Sequence, residues 1–163
     1  MTKRIAYCAM LTALAMIFGY VEALIPFSFG VPGIKLGLAN LVIVVALYML
    51  SANQVFFIQL ARIVLVSFLF GNMSMMLYSL AGGILSFFVM CLLKRKKDFS
   101  IIGVSIAGGV SHNIGQLIVA SLVVQNIWLA YYLPVLMIAG LVTGFLIGVL
   151  AHKILPLVEN VDR

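Results

Sequence analysis

Three large polar side chains, His112, Asn113 and Gln116, lie at the centre of the stretch "GGVSHNIGQL" (residues 108–117). The flanking segments, "SIIGVSIA" before and "IVASLVV" after, are almost pure hydrocarbon. On a helix, spacings of three and four place the trio on one stripe, which Gly109 and Ala120 extend and Ser105 continues. Two roles compete. The stripe either joins helices by hydrogen bonds or lines a ligand site beside which small residues leave room. Interhelical hydrogen bonds in membranes average about 0.6 kcal/mol. Stability alone therefore gives little reason to gather three such groups, and the ligand site is the preferred reading, with helix–helix bonding as the alternative. One His without a second His, Cys or carboxylate nearby is a poor metal site. No Ser/Cys–His–Asp set falls within the apolar segments, so no catalytic residue, metal or cofactor is assigned.

Charge adds to the same picture. Arg62 lies near the middle of "FFIQLARIVLV", where an Arg at mid-bilayer costs about 2.5–3.5 kcal/mol even on the mildest scale. It must face inward and find partners. Gln59 is one turn away, and Glu22 is the only acidic residue within an apolar segment. Either Glu22 pairs with Arg62, or Arg62 is available to an anionic group of a ligand. Lys35 is the only other cation away from the basic clusters. It is either a solvated loop lysine or a positive lip over a cavity, with Asn40 near the same space. The candidate substrate-binding set is thus His112, Asn113, Gln116, Arg62, Lys35, Asn40 and Glu22.

These groups need a scaffold, and the composition specifies a membrane one. Of 163 residues 65% are hydrophobic and 9% charged, with a mean hydropathy of +1.27. Average soluble domains carry nearer a quarter of charged residues. About 20 apolar residues cross a bilayer as a helix, so the chain holds roughly six crossings in one all-α transmembrane domain, residues 1–163. The net charge of +6 clusters at helix ends and reads as topology, not as a nucleic-acid surface. Cys8 and Cys91, without CxxC spacing, imply neither a disulfide nor a metal knuckle. The N-terminal apolar run continues to about Ile25 without a clear cleavage site and reads as the first transmembrane helix.

Hydropathy and breakers predict helices at Arg4–Ile25, Leu36–Leu50 (short for a crossing), Val55–Phe70, Ser74–Leu93, Ile101–Val124 and Tyr131–Leu155. Pro26, Gly30, Pro32 and Gly33 punctuate the first loop. Lys3, Arg4, Lys94, Arg95, Lys96, Lys97, Lys153 and Arg163 then all fall on one side, which the positive-inside rule makes cytoplasmic, together with both termini. Trp128, Tyr131 and Tyr132 belong to an aromatic belt at the opposite boundary. Gly140, Gly144 and Gly148 form a GxxxGxxxG ridge, and Ala9 and Ala13 an AxxxA ridge with Ala6 nearby. From the residues alone, packing within the chain is preferred for such ridges over docking of a partner. No internal repeat suggests an inverted-repeat transporter.

The stretches "PGIKLGLANLVIVVAL", "YSLAGGILSFFVM" and "SIAGGVSHNIGQL" resemble the family named both Gx transporter and heptaprenyl diphosphate synthase component I, over nearly the whole chain. That family looks like the substrate-binding S components of energy-coupling factor (ECF) vitamin transporters. The resemblance implies a six-helix membrane protein that takes a small molecule from outside and associates with a transmembrane coupling subunit and two cytoplasmic ATPases. It also implies that the alanine ridge Ala9/Ala13 docks a partner, and that the loop Pro26 through Lys35 closes over the ligand. Members are further associated with flavin-linked extracellular electron transfer and with quinone or isoprenoid metabolism.

The synthase name meets a chemical obstacle. Prenyl diphosphate synthases hold magnesium through aspartate-rich motifs, and that ion needs hard oxygen ligands. The acidic residues Glu22, Asp98, Glu159 and Asp162 form no such cluster, and there is no P-loop GxxxxGK[ST]. The expectation is a non-enzymatic S-component-like subunit in the bacterial cytoplasmic membrane. It would contact lipid, a small-molecule substrate, a coupling subunit and ATPases, and no nucleic acid. The alternative is a non-catalytic membrane subunit serving polyprenyl diphosphate or quinone synthesis, or electron transfer.

Overall fold

In a computed structural model the chain is described over residues 2–24, 37–96 and 98–161. Six α-helices follow one another: α1 (Thr2–Leu24), α2 (Leu38–Met49), α3 (Ala52–Phe70), α4 (Met73–Lys94), α5 (Ile101–Val124) and α6 (Leu133–Val161). A 3-10 turn, Ile127–Tyr132, links the last two. The described residues contain no strand. Five helices are long and apolar enough to cross a membrane, and α2 is the shorter apolar one. The protein is a six-helix, multi-pass membrane bundle. Its outer face is apolar throughout, with Phe57, Phe68, Leu122, Leu141 and Leu146 all exposed, as lipid contact requires.

Three of the helices are bounded by local caps. Ser51 and Gln54 form a reciprocal capping box at the start of α3. The side chains of Asn72 and Ser100 accept the backbone N–H groups of Met75 and Gly103, opening α4 and α5. Gln125 closes α5 in the left-handed conformation at φ 52°. The 3-10 turn begins at Asn126, whose side chain accepts the Trp128 N–H. Trp128 and Tyr131 stack there at 5.5 Å, exposed as a boundary belt should be. The sequence reading began helix six at Tyr131 and missed this turn.

The short helix α2 is the core of the bundle. Eight of its twelve residues are buried, from Ala39 to Leu47, and it packs on α1, α3 and α6. Its C-terminal half joins Leu11, Ala15, Val55, Ile58, Phe87, Met90, Val104, Ile147 and Ala151 in one apolar cluster. At its end Lys94 of α4 reaches across, donates to the Leu47 carbonyl and lies over the Tyr48 ring at 5.1 Å. This cation meets an orphan C-terminal carbonyl. Lys94 therefore does structural work beyond setting topology.

Helices α4, α5 and α6 pack through glycines. A Cβ on Gly109 would lie 2.6 Å from the Gly140 carbonyl oxygen, and one on Gly144 would lie 2.7 Å from Ile106 Cα. On the other side, a Cβ on Gly115 would meet the Ala81 carbonyl oxygen at 2.8 Å. The α6 glycine ridge is thus an intrachain contact, as the residues alone suggested. The glycines of "GGVSHNIGQL" were expected to leave room beside the polar stripe. Gly115 departs from that expectation, because the α4 backbone fills the space beside it, whereas Gly109 packs against the α6 backbone and also lines a polar cavity. Ser105, at the foot of the stripe, donates to the Gly144 carbonyl at 2.7 Å and belongs to the same contact.

Candidate functional site

A cavity of about 70 Å³ opens among α1, α2, α3, α4, α5 and α6. It is walled by Gly19 and Glu22 near the end of α1, Gly37 and Asn40 at the start of α2, and Arg62 to Ser67 in the second half of α3. Met75 and Ser79 come from the first half of α4, His112, Asn113 and Gln116 from α5, and Thr143 from α6. It therefore lies in the half of the bundle remote from Lys94 and from the basic segment after α4. Of the seven substrate-binding residues expected from sequence, six line this one space. The seventh, Lys35, lies outside the described residues, as does the expected closing loop Pro26 to Lys35.

Glu22 and Arg62 share the cavity, but the hydrogen bonds of each go elsewhere. Glu22 Oε1 accepts the backbone N–H groups of Gly37 and Leu38, the latter at 3.1 Å. Gly37 is in the left-handed region at φ 76°, which suits glycine and turns these amides toward the carboxylate. A carboxylate on the first N–H groups of a helix is the favourable sign for the macrodipole. The positive end of α2 thus offsets much of the Glu22 charge. The two charges still attract through space.

Arg62 is held by neutral amides. Its Nη2 donates to Gln59 Oε1 at 3.0 Å and to Asn40 Oδ1 at 3.3 Å. Its Nε is fully buried and has no hydrogen-bond partner among the described residues. Gln59 is 1% exposed and wedged against Gly83, so the Arg62 head has a rigid support. Of the two arrangements open from the sequence, a direct Glu22–Arg62 hydrogen-bonded pair is not formed; the two charges interact at longer range.

The α5 stripe is divided. Asn113 Nδ2 donates to the Leu136 carbonyl of α6 at 2.7 Å, so this residue bonds two helices while also facing the cavity. Gln116 is buried, with its aliphatic part and the His112 ring against Gly82 of α4. Helix bonding and site lining are both present, on neighbouring atoms. Sequence reasoning missed Ser67, Ser79 and Thr143 as wall residues. Small hydroxyls in apolar helices commonly bond their own backbone, as Thr143 does to Ala139 O at 2.8 Å, and carry no pattern.

The described residues contain no group of three or more His, Cys, Asp or Glu able to hold a metal ion. At the far end of the bundle, Ala6, Ala9 and Ala13 lie exposed on α1 beside Ile5, Met10 and Ile17. The alanine ridge is therefore not buried within the chain, unlike the glycine ridge of α6.

A family model described as heptaprenyl diphosphate synthase component I matches residues 11–154. No curated protein and no solved structure matches the chain.

Proposed function

The chain belongs to the heptaprenyl diphosphate synthase component I family, and from that premise we propose that it is the non-catalytic, substrate-binding membrane subunit of an uptake system of the ECF kind. The observation that supports this most is the polar cavity contributed by all six helices, in an otherwise apolar bundle, at the end remote from the basic cluster. By the positive-inside rule that end faces outward from a cytoplasmic membrane, here a bacterial one. A small molecule would reach the cavity from that side. Arg62, Asn40, His112, Asn113, Gln116 and Lys35 would bind it, with Glu22 shaping the rim through α2. The exposed alanine face of α1 would dock the coupling subunit, and partner ATPases would supply the energy.

The test is native mass spectrometry of the full chain purified in detergent, with uptake measured in cells. Wild-type protein should retain a small molecule that His112→Ala loses, and uptake should fall about tenfold, the loss of about 1.4 kcal/mol of binding. A protein that retains nothing, with uptake unchanged in His112→Ala and Arg62→Gln, refutes the reading.

A second reading keeps the family's printed description at face value: a membrane component that assists a prenyl diphosphate synthase. A mainly apolar crevice of about 680 Å³ favours it, lined by Leu117, Leu122, Ile127 and Leu133 together with Ser121, Gln125 and Asn126. Such a groove suits an isoprenoid chain. Affinity capture from membranes separates the two, since ATPases support the first reading and a prenyl synthase the second.

A further inference from the structure

We propose that the ligand of this cavity carries an acid group, a carboxylate or a phosphate, and that it binds with that group on Arg62; the inference rests on the substrate-binding reading above. The argument is one of charge and donor accounting. A guanidinium has five N–H donors and no acceptor. Arg62 uses Nη2 on two neutral side-chain oxygens, of Gln59 and Asn40, and its buried Nε has no partner among the described residues. Neutral amides orient a guanidinium but do not balance its charge. The one acidic residue in the cavity wall has its Oε1 engaged by the first amides of α2, whose positive end offsets its charge. An oriented cation with idle donors and, among the described residues, no contacting counter-ion, beside a cavity of about 70 Å³, suits an acid group. The acid group would sit inside, on Arg62. His112 and Gln116, on the opposite wall, would meet the atoms next to the acid group. Gln59 is a positioning residue that acts through Arg62, being absent from the wall itself.

The assignment predicts that filling the counter-ion vacancy from within the chain abolishes the preference for anions. Gln59→Glu, nearly isosteric, places a carboxylate where an amide oxygen now stands 3.0 Å from Arg62 Nη2. The full chain would be placed in phosphatidylcholine nanodiscs and titrated with sodium acetate, inorganic phosphate and, as a neutral match, acetamide, each against a sodium chloride background. Melting temperature and calorimetry are the readouts. Wild type should be stabilised saturably by acetate or phosphate and not by acetamide. Gln59→Glu should melt at or above the wild-type temperature, which shows that it folds, and should bind the anion about tenfold more weakly or worse. Arg62→Lys should keep part of the response and Arg62→Gln none. Discs containing phosphatidylglycerol distinguish a lipid headgroup from a soluble acid, since a headgroup source abolishes the acetate response of the wild type in those discs only. Equal responses to acetamide and acetate overturn the assignment, as does a folded Gln59→Glu that binds anions as the wild type does. If a neutral molecule co-purifies and Arg62→Gln retains it, the acid-group inference fails while the substrate-binding reading stands. If nothing co-purifies and no probe binds, both fail together.

Discussion

The two ends of α2 are held by the same device with opposite signs, and they face opposite surroundings. At its start the Glu22 carboxylate of α1 accepts the first amides; at its finish the Lys94 ammonium of α4 donates to a terminal carbonyl. Each charge matches the macrodipole end it meets. Around the finish the bundle is dry, with Ile43, Leu47, Val55 and Val104 almost fully buried in one apolar cluster. Around the start lie the cavity, Asn40, Arg62 and the α5 stripe. One helix thus joins a dry, apolar half to a half that contains a polar cavity. In the first half the polar groups that are present are paired, as Lys94 and Ser105 are; in the second, polar groups are gathered and the Arg62 Nε has no partner among the described residues.

The largest expected effect breaks the dry half. Leu47→Ala removes a side chain that is 1% exposed, and should destabilise the protein by about 2–5 kcal/mol. Val66→Ala, in the cavity wall, should cost only about 1 kcal/mol, because it enlarges a space that already exists. Unfolding in mixed micelles of dodecyl maltoside and SDS compares the two directly. Equal losses would show that the halves do not differ in packing.

Next in size is the contact that fixes the stripe. Gly144→Ala drives a methyl toward Ile106 Cα at 2.7 Å and the Ser105 carbonyl oxygen at 2.9 Å, both backbone atoms that cannot turn aside. The expected loss is about 1–3 kcal/mol. Because α6 also supplies the Leu136 carbonyl to Asn113, ligand retention should fall with it. A Gly144→Ala protein with wild-type melting and retention would sever the stripe from the ridge.

Much of this was legible in advance, for identifiable reasons. Helix α5 was read as Ile101–Val124 and has those bounds, because Ser100 follows a basic run and Gln125 precedes a boundary belt. The GxxxGxxxG ridge was readable because helical spacing fixes which glycines share a face. Six residues from four helices converge on one cavity because polar groups in an apolar chain have nowhere else to go. What was hidden depends on depth and handedness between helices, which no periodicity records. Glu22 could be placed in the outer third of α1, but not opposite the left-handed Gly37 rather than Arg62. Lys94 looked like one of a run of topology charges, and only its register against α2 reveals the Leu47 carbonyl as its partner. The two small-residue ridges looked alike in sequence; one is buried against α5 and the other exposed.

The paired charges at the ends of α2 make the sharpest comparison. Glu22→Gln and Lys94→Met should each cost about 0.5–1 kcal/mol, the value of one macrodipole partner. Their effects on binding should differ. Glu22→Gln alters the field in the cavity and should change ligand affinity several-fold, whereas Lys94→Met should leave it unchanged. If both variants shift affinity alike, α2 couples the two halves and the division between them is only structural.

The smallest expected change in stability lies on a face that packs on nothing among the described residues. Ala13 is exposed on α1, so Ala13→Leu should alter unfolding by no more than about 0.5 kcal/mol. The same substitution raises a ridge along which a second helix would need close backbone approach. If α1 docks a coupling subunit there, Ala13→Leu should abolish co-purification of that subunit while cavity binding stays intact. A control at Phe68, also exposed but on α3, should disturb neither. Stability and partner capture then move independently, which is the behaviour of a docking surface. Lipid-facing residues would move neither, and buried residues such as Leu47 would move both.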